Sequence, residues 1–360
     1  MRVKSVLYYL LSGAIGWTSC DKDDAQTPAD PTPGDTEITV QVTPVAGSET
    51  EYGSTTDVAP LNARFFGITK LALDTRDNKT ALYLIDQSDA DLRIVEGNKV
   101  RTVSNIMGVY ALAQSICLAP GGAGKVYITS GYGQLVLFDV NLPYEWGVNP
   151  KVIIDRNAVN GTRTGVGGTR GIAVDANGDI FLGNAYVNAV TKVNNSSHTI
   201  TAFAGVPLPD QANETPPFAD GDALTKAVFG NVSDVCINKA GKLYVADRLY
   251  RTIREIDGGK VKALFTPSPY PYENYIQPSV DGALKDAKSA MISYVAVPQD
   301  NSNRIFFCTS GGLRLILLDE QRVITLKQFP QGIHGMAVAA DGKTVYIASG
   351  YGVVKVALSK

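Results

Sequence analysis

One line is written twice in this chain. Residues 126–138 read VYITSGYGQLVLF and residues 345–357 read VYIASGYGVVKVA. A longer unit returns as well. Residues 168–205 (GTRGIAVDANGDIFLGNAYVNAVTKVNNSSHTITAFAG) and 231–265 (NVSDVCINKAGKLYVADRLYRTIREIDGGKVKALF) share one order of parts. An apolar run leads to an Asp/Asn-x-x-Gly turn. An aromatic and apolar run, a polar turn and two further apolar runs follow. A unit of this length cannot bury a face alone and must stack on copies of itself. Short runs between turn residues predict four strands joined by tight connections. Gly178 and Gly241 supply the backbone freedom that each first hairpin needs. The 35 glycines of the 360 residues fit a fold with this many turns.

Four weaker copies complete the series. They occupy residues 68–103, 115–140 with an outer strand near KVIID, 293–329, and 334–359. The last copy stops one strand short. The missing strand is expected at the other end of the chain, because EITVQVTPVAG begins as TITAFAG (199–205) does at the fourth position of the third unit. Residues 37–46 are therefore expected to complete the sixth unit and close a ring, which removes free sheet edges. No inner-strand motif is left over for a seventh unit.

The pattern GIAVD..G.IYVAD..N..I..I is nearly legible in units 3 and 4. FADGDALTKAVFGNV (218–232) and VDGALKDAKSAMI (280–292) read as matching linkers. In these residues the chain resembles NHL-repeat proteins. The resemblance implies an all-β, six-bladed β-propeller with four-stranded blades over residues 37–360.

The N-terminus has a different character. Arg2 and Lys4 precede the short apolar stretch VLYYLLSGAIGWT, then Thr18, Ser19 and Cys20. Residues 1–19 read as a signal peptide, too short in apolar length to span a bilayer. Cys20 at the cleavage point resembles the lipobox of bacterial lipoproteins, with Trp17 a departure from the usual Leu-like residue. That implies lipidation of Cys20. The following DKDD resembles the export signal of Bacteroidetes surface lipoproteins, which implies an outer-membrane, surface-exposed address. Residues 20–36, rich in Pro, Thr, Ala and Asp, read as a solvated tether. The remaining cysteines, Cys117, Cys236 and Cys308, are odd in number and sit in apolar runs, so they read as buried free thiols. The net charge of −2, without a basic surplus, argues against nucleic acid.

Three groups of residues are candidates for ligand contact. Family knowledge places propeller function on the face carrying the loops between second and third strands, where both SGYG lines fall. They lack the following helix and Lys-Ser/Thr of a phosphate loop, so the glycines read as hairpin chemistry. Tyr132 and Tyr351 remain as rings able to stack a sugar. Aligning the starts of the inner strands puts Arg170 in a ring with Thr69, Gln114, Ser233, Ser293 and His334 at the mouth of the central channel. A few residues on, Ala72, Cys117, Ala173, Cys236, Ala296 and Ala337 form a ring of small side chains that reads as packing. Third, Tyr270, Tyr272 and Tyr275 sit in one Pro-rich insertion, and Tyr144 and Trp146 in another.

Two functional readings stay open. Propellers resembling this one include amidating lyases, with histidines on zinc, and gluconolactonase-type enzymes, with Glu, Asn and Asp on a divalent cation. Two histidines in the whole chain, His198 and His334, cannot build a multi-His zinc site. DANGD (175–179) lacks the distal bidentate Glu of a calcium loop. The resemblance to Bacteroidetes lipoproteins with NHL propellers, which commonly accompany polysaccharide-uptake systems, implies a monomeric, non-catalytic binding lipoprotein with no cofactor. Its expected partner is a glycan or an outer-membrane protein of a polysaccharide-uptake system, and its expected membrane contact is the lipid anchor alone. A lactonase- or lyase-like hydrolase with its site at the channel mouth is the alternative.

Overall fold

The structure is a computed structural model. It describes residues 38–359, apart from 56–57, 77–78, 87–90, 106–112, 131–132, 144–148, 156–165, 207–216, 269–277 and 301. Cys20, the tether, Tyr132, Tyr144, Trp146, Tyr270, Tyr272 and Tyr275 lie outside the described residues.

Six antiparallel sheets form the blades of a β-propeller. Blade 1 comprises Ile68–Asp74, Ala81–Asp86, Asp91–Glu96 and Lys99–Asn105, from inner to outer strand. Blade 2 comprises Ala113–Leu118, Lys125–Ser130, Leu135–Asp139 and Lys151–Ile154. Blade 3 comprises Thr169–Val174, Ile180–Asn184, Ala189–Val193 and Ile200–Ala204. Blade 4 comprises Val232–Ile237, Leu243–Asp247, Thr252–Asp257 and Lys260–Ala263. Blade 5 comprises Tyr294–Ala296, Arg304–Cys308, Gly312–Leu317 and Arg322–Gln328. Blade 6 comprises Gly335–Val338, Thr344–Ser349 and Tyr351–Ser359, and takes its outer strand, Thr39–Ser48, from the start of the described chain.

The closing strand runs antiparallel to Tyr351–Ser359, from Thr39 opposite Ser359 to Ser48 opposite Tyr351. Its register slips between Pro44 and Ala46. Proline is tolerated there because the strand lies at a sheet edge and a bulge interrupts the ladder. Blades 4 and 5 depart from four strands. Their linkers add a two-residue strand each, Gly221–Asp222 and Gly282–Ala283, against the outer strand of the blade that follows.

The first hairpin of each unit shows why its turn residues recur. Asp175 Oδ1 accepts the N–H groups of Asn177 and Asp179, and Asn238 Oδ1 accepts those of Ala240 and Lys242. Gly178 and Gly241 then take φ of 83° and 84°, which a side chain would resist. DANGD is thus an Asx-stabilised turn.

The core consists of six apolar clusters, one between each pair of neighbouring blades, including blades 6 and 1. Middle strands are covered on both faces, so Ala81–Asp86 and Gly312–Leu317 are buried throughout. The ring of small inner residues has a regular partner. Ala72, Cys117, Ala173, Cys236, Ala296 and Ala337 pair respectively with Tyr83, Tyr127, Phe181, Tyr244, Phe306 and Tyr346 on the second strands. Inner strands converge on the axis, so a small residue there leaves room for an aromatic one strand further out.

Candidate binding site at the channel mouth

The polar ring occupies one structural position in every blade. In blades 1 to 4 the pairing of inner and second strand slips by one residue, and Thr69, Gln114, Arg170 and Ser233 are the residues skipped. In blade 5 the N–H of Ser293 donates to Cys308 O, although Cys308 already pairs with Tyr294. In blade 6 His334 N–H donates to Ala348 O, although Ala348 pairs with Gly335. Each blade therefore begins with a β-bulge, a device that re-aims a side chain.

Five of the six ring residues line one cavity of about 230 Å³: Thr69, Gln114, Arg170, Ser233 and Ser293. Lys70, Arg248 and Tyr294 complete its charged and aromatic lining. Arg248 comes from the turn between the second and third strands of blade 4, held by a backbone bond from its N–H to Asn231 O (2.8 Å). Its Nη1 donates to Ser293 Oγ at 3.2 Å. Beneath the mouth, Lys70 of blade 1 meets Asp234 of blade 4 at 3.2 Å and lies 4.7 Å from the centre of the Tyr294 ring. This pair ties opposite sides of the ring together. Lys70 and Tyr294 also line a second, axial cavity with Asp234, Cys117 and Cys236, so the pair stands between mouth and channel.

Burial pushes the Asp234 carboxyl up, against the pull of Lys70 and the Val295 N–H. The Arg248 guanidinium is pushed down, first by burial and then by the Arg170 charge. Burial also raises the thiols of Cys117, Cys236 and Cys308, leaving them protonated and inert near neutral pH.

His334 does not join the mouth cavity. It is exposed, and its Nε2 lies 3.1 Å from Gln331 O. With Gln331, Thr69 and Tyr351 it lines an adjoining hollow of about 390 Å³ between blades 6 and 1. The aligned register brings its backbone to the ring position, but its side chain turns outward along the face. Tyr351 is the first residue of a strand, half-buried, with its ring 5.6 Å from that of Tyr52. Tyr52, 66% exposed, also approaches Phe66 at 6.2 Å. Tyr186, 73% exposed, stands in the corresponding turn of blade 3. Sequence reasoning missed Arg248, Lys70, Asp234, Tyr52 and Tyr186. Arg248 had a signal, since ADRLYR in blade 4 occupies the place of SGYG.

Among the described residues, neither serine hydroxyl at the mouth bonds a base. Ser233 Oγ lies against the carbonyls of Ala246 (3.1 Å) and Ile292 (2.9 Å), and Ser293 Oγ accepts from Arg248. Among the described residues, no three of His, Cys, Asp and Glu stand close enough to share a metal ion. A further cavity, of about 490 Å³, lies elsewhere. Val45, Leu82, Val95 and Tyr346 line it, together with Lys79, Thr80 and Gly97.

No family model and no curated protein sequence matches the chain. Solved structures do. A Bacteroides thetaiotaomicron protein of unknown function superposes with a TM-score of 0.64 at 14% identity, over 90% of this chain and 77% of its own. An auxiliary nutrient binding protein from Bacteroides ovatus gives 0.63 at 15%, over 90% and 78%. A gluconolactonase from Xanthomonas campestris gives 0.53 at 10%, over 89% and 90%. At these identities the likeness is one of fold.

Proposed function

We propose that this chain is a lipid-anchored, non-catalytic binding protein of the bacterial outer membrane, which holds a glycan on the face carrying the channel mouth. The observation that carries the reading is the ring itself. Six bulged inner strands present hydrogen-bonding side chains at one end of the channel, and five of them converge on one cavity. Sugars are bound by such convergent polar groups beside aromatic faces, and Tyr351, with Tyr52 against its ring, lines the adjoining hollow. The Bacteroides fold neighbour described as an auxiliary nutrient binding protein supports the same reading. The lactonase alternative needs carboxylates to hold a divalent cation, whereas the lining of the mouth offers guanidinium, ammonium, amide and hydroxyl groups. The NHL-like repeat and the lipid anchor at Cys20 belong to this proposal.

Isothermal titration of the purified protein against a panel of neutral and acidic oligosaccharides tests it. Saccharide binding is expected, weakened about tenfold or more by Tyr351→Ala or Gln114→Ala, with no hydrolysis of added lactones. Absence of saccharide binding, or cation-dependent lactone turnover, would overturn the reading. In fractionated cells, Cys20→Ala is expected to move the protein from the membrane to the soluble fraction. A variant that stayed in the membrane would remove the anchor.

A further inference from the structure

The mouth carries positive charge that the fold itself does not use. The chain as a whole has a formal net charge of −2, so this is no reflection of a basic protein. Four charged side chains gather at and just under the mouth: Lys70, Arg170, Arg248 and Asp234. Lys70 and Asp234 neutralise one another. Two guanidiniums remain.

The contrast with the interior arginines is sharp. Arg254 bonds two backbone carbonyls and pairs with Asp220 and Asp247. Arg314 bonds two carbonyls and Asp281. Arg170 makes no hydrogen bond or ion pair with a described residue, and Arg248 spends its side chain on one neutral hydroxyl, that of Ser293. The two charges also repel each other, which adds to the burial that disfavours a charged Arg248. An anion seated between them would relieve both effects.

Two neutral groups narrow the ligand. Gln114 and Thr69 line the same cavity as the two arginines, an amide and a hydroxyl beside two cations. Amide and hydroxyl groups lining such a cavity exchange hydrogen bonds with ligand hydroxyls. The occupant that suits this lining carries a planar anion for the guanidinium forks and hydroxyls for Gln114 and Thr69. About 230 Å³ is the space of roughly seven or eight waters at about 30 Å³ each. That suits one sugar ring.

We propose that the channel mouth receives a carboxylate-bearing sugar, a hexuronate unit of an acidic glycan. Its carboxylate lies between Arg170 and Arg248, and its hydroxyls reach Gln114 and Thr69. The inference rests on the glycan-binding reading and names the ligand class for that site.

Titration calorimetry with short oligomers of galacturonate, glucuronate and mannuronate provides the test. Their methyl esters, the matching neutral oligosaccharides and a sulfated galactan oligosaccharide serve as comparison arms. At least one hexuronate series is expected to bind ten times or more tightly than its methyl ester and its neutral counterpart. Binding should weaken with rising salt. Arg170→Gln and Arg248→Gln are each expected to weaken it tenfold or more. Arg170 is exposed, so its variant should keep the wild-type melting temperature without ligand. Binding of neutral glycans that is lost in Tyr351→Ala but unchanged in Arg170→Gln would overturn the acidic-sugar assignment and leave the glycan reading standing. Preference for the sulfated oligosaccharide over every hexuronate would overturn the carboxylate. Absence of binding in every arm would overturn both.

Discussion

Three arginines, Arg93, Arg254 and Arg314, are wholly buried and occupy one position in the third strands of blades 1, 4 and 5. Each reaches out of its blade to the segment that leads into it. Arg254 holds Val228 O and Ala219 O, and Arg314 holds Lys288 O and Val280 O. Arg93 bonds Thr55 O and lies 3.6 Å from Asp86. Phe65, Phe218 and Phe307 lie 4.5–5.2 Å from these guanidiniums, which the flat cation tolerates and an ammonium would not match. The blades without long linkers carry Thr191, Val136 and Val354 at the same position. Arg254→Met strands the buried Asp247 carboxylate and is expected to lose about 3–5 kcal/mol of stability. Arg314→Met is expected to lose only about 1–3 kcal/mol, because Asp281 is 43% exposed and water can take over its pairing. Urea unfolding of both variants checks the order, and equal losses would show that carboxylate burial does not decide it. In sequence these arginines look like solvent-facing members of alternating runs. Alternation tells which face a residue occupies, and here both faces are covered.

At the scale of the strand, two devices decide what the propeller can do. The bulge at each inner strand aims the mouth residues, and the strand Thr39–Ser48 closes the ring. Val40 and Val42 add to the cluster between blades 5 and 6, and Ala46 to that between blades 6 and 1. Gly47 at φ 75° lies so near the backbone of Tyr351 and Gly352 that a Cβ would overlap it. Deleting residues 1–48 uncovers the edge of Tyr351–Ser359 and part of two clusters at once. The truncated chain is expected to elute as oligomers or aggregate, with a melting temperature lower by many degrees. A monomer of unchanged melting temperature on size exclusion would show that the closing strand is dispensable.

Carboxylates of opposite tendency shape the whole molecule's response to pH. Asp179 is held low, chiefly by its hydrogen bond to Lys192, and Asp74 is held low by Arg76 despite the burial that opposes it. Their stabilisation is present above the unfolded value of 3.8 and is lost as pH falls through the lower folded values. Asp247 is pushed the other way, by burial, to about 6, and Asp234 is also raised. Their contribution is full below 3.8 and is lost as pH rises through the folded value, near 6 for Asp247. The melting temperature is therefore expected to peak near pH 4, to fall below it as Asp179 and Asp74 protonate, and to fall from about 4 to 6 as Asp247 ionises. Asp247→Asn should flatten the limb between 4 and 6. An Asp247→Asn profile parallel to wild type would place the decline between pH 4 and 6 in another group.

The repeat alone determined six blades, their four strands, the hairpin turns, the small inner ring and the source of the closing strand. Each depends on local spacing and on the need of a repeated unit to bury both faces. The ring of Thr69, Gln114, Arg170, Ser233 and Ser293 was legible for the same reason, because equal offsets in equal units occupy equal places. Three things needed the tertiary structure: the outward turn of His334, the entry of Arg248 into the mouth, and the Lys70–Asp234 pair across it. Those three depend on side-chain direction and on contacts between units far apart in the chain, 164 residues for Lys70 and Asp234. Only the closing of the ring brings such residues together.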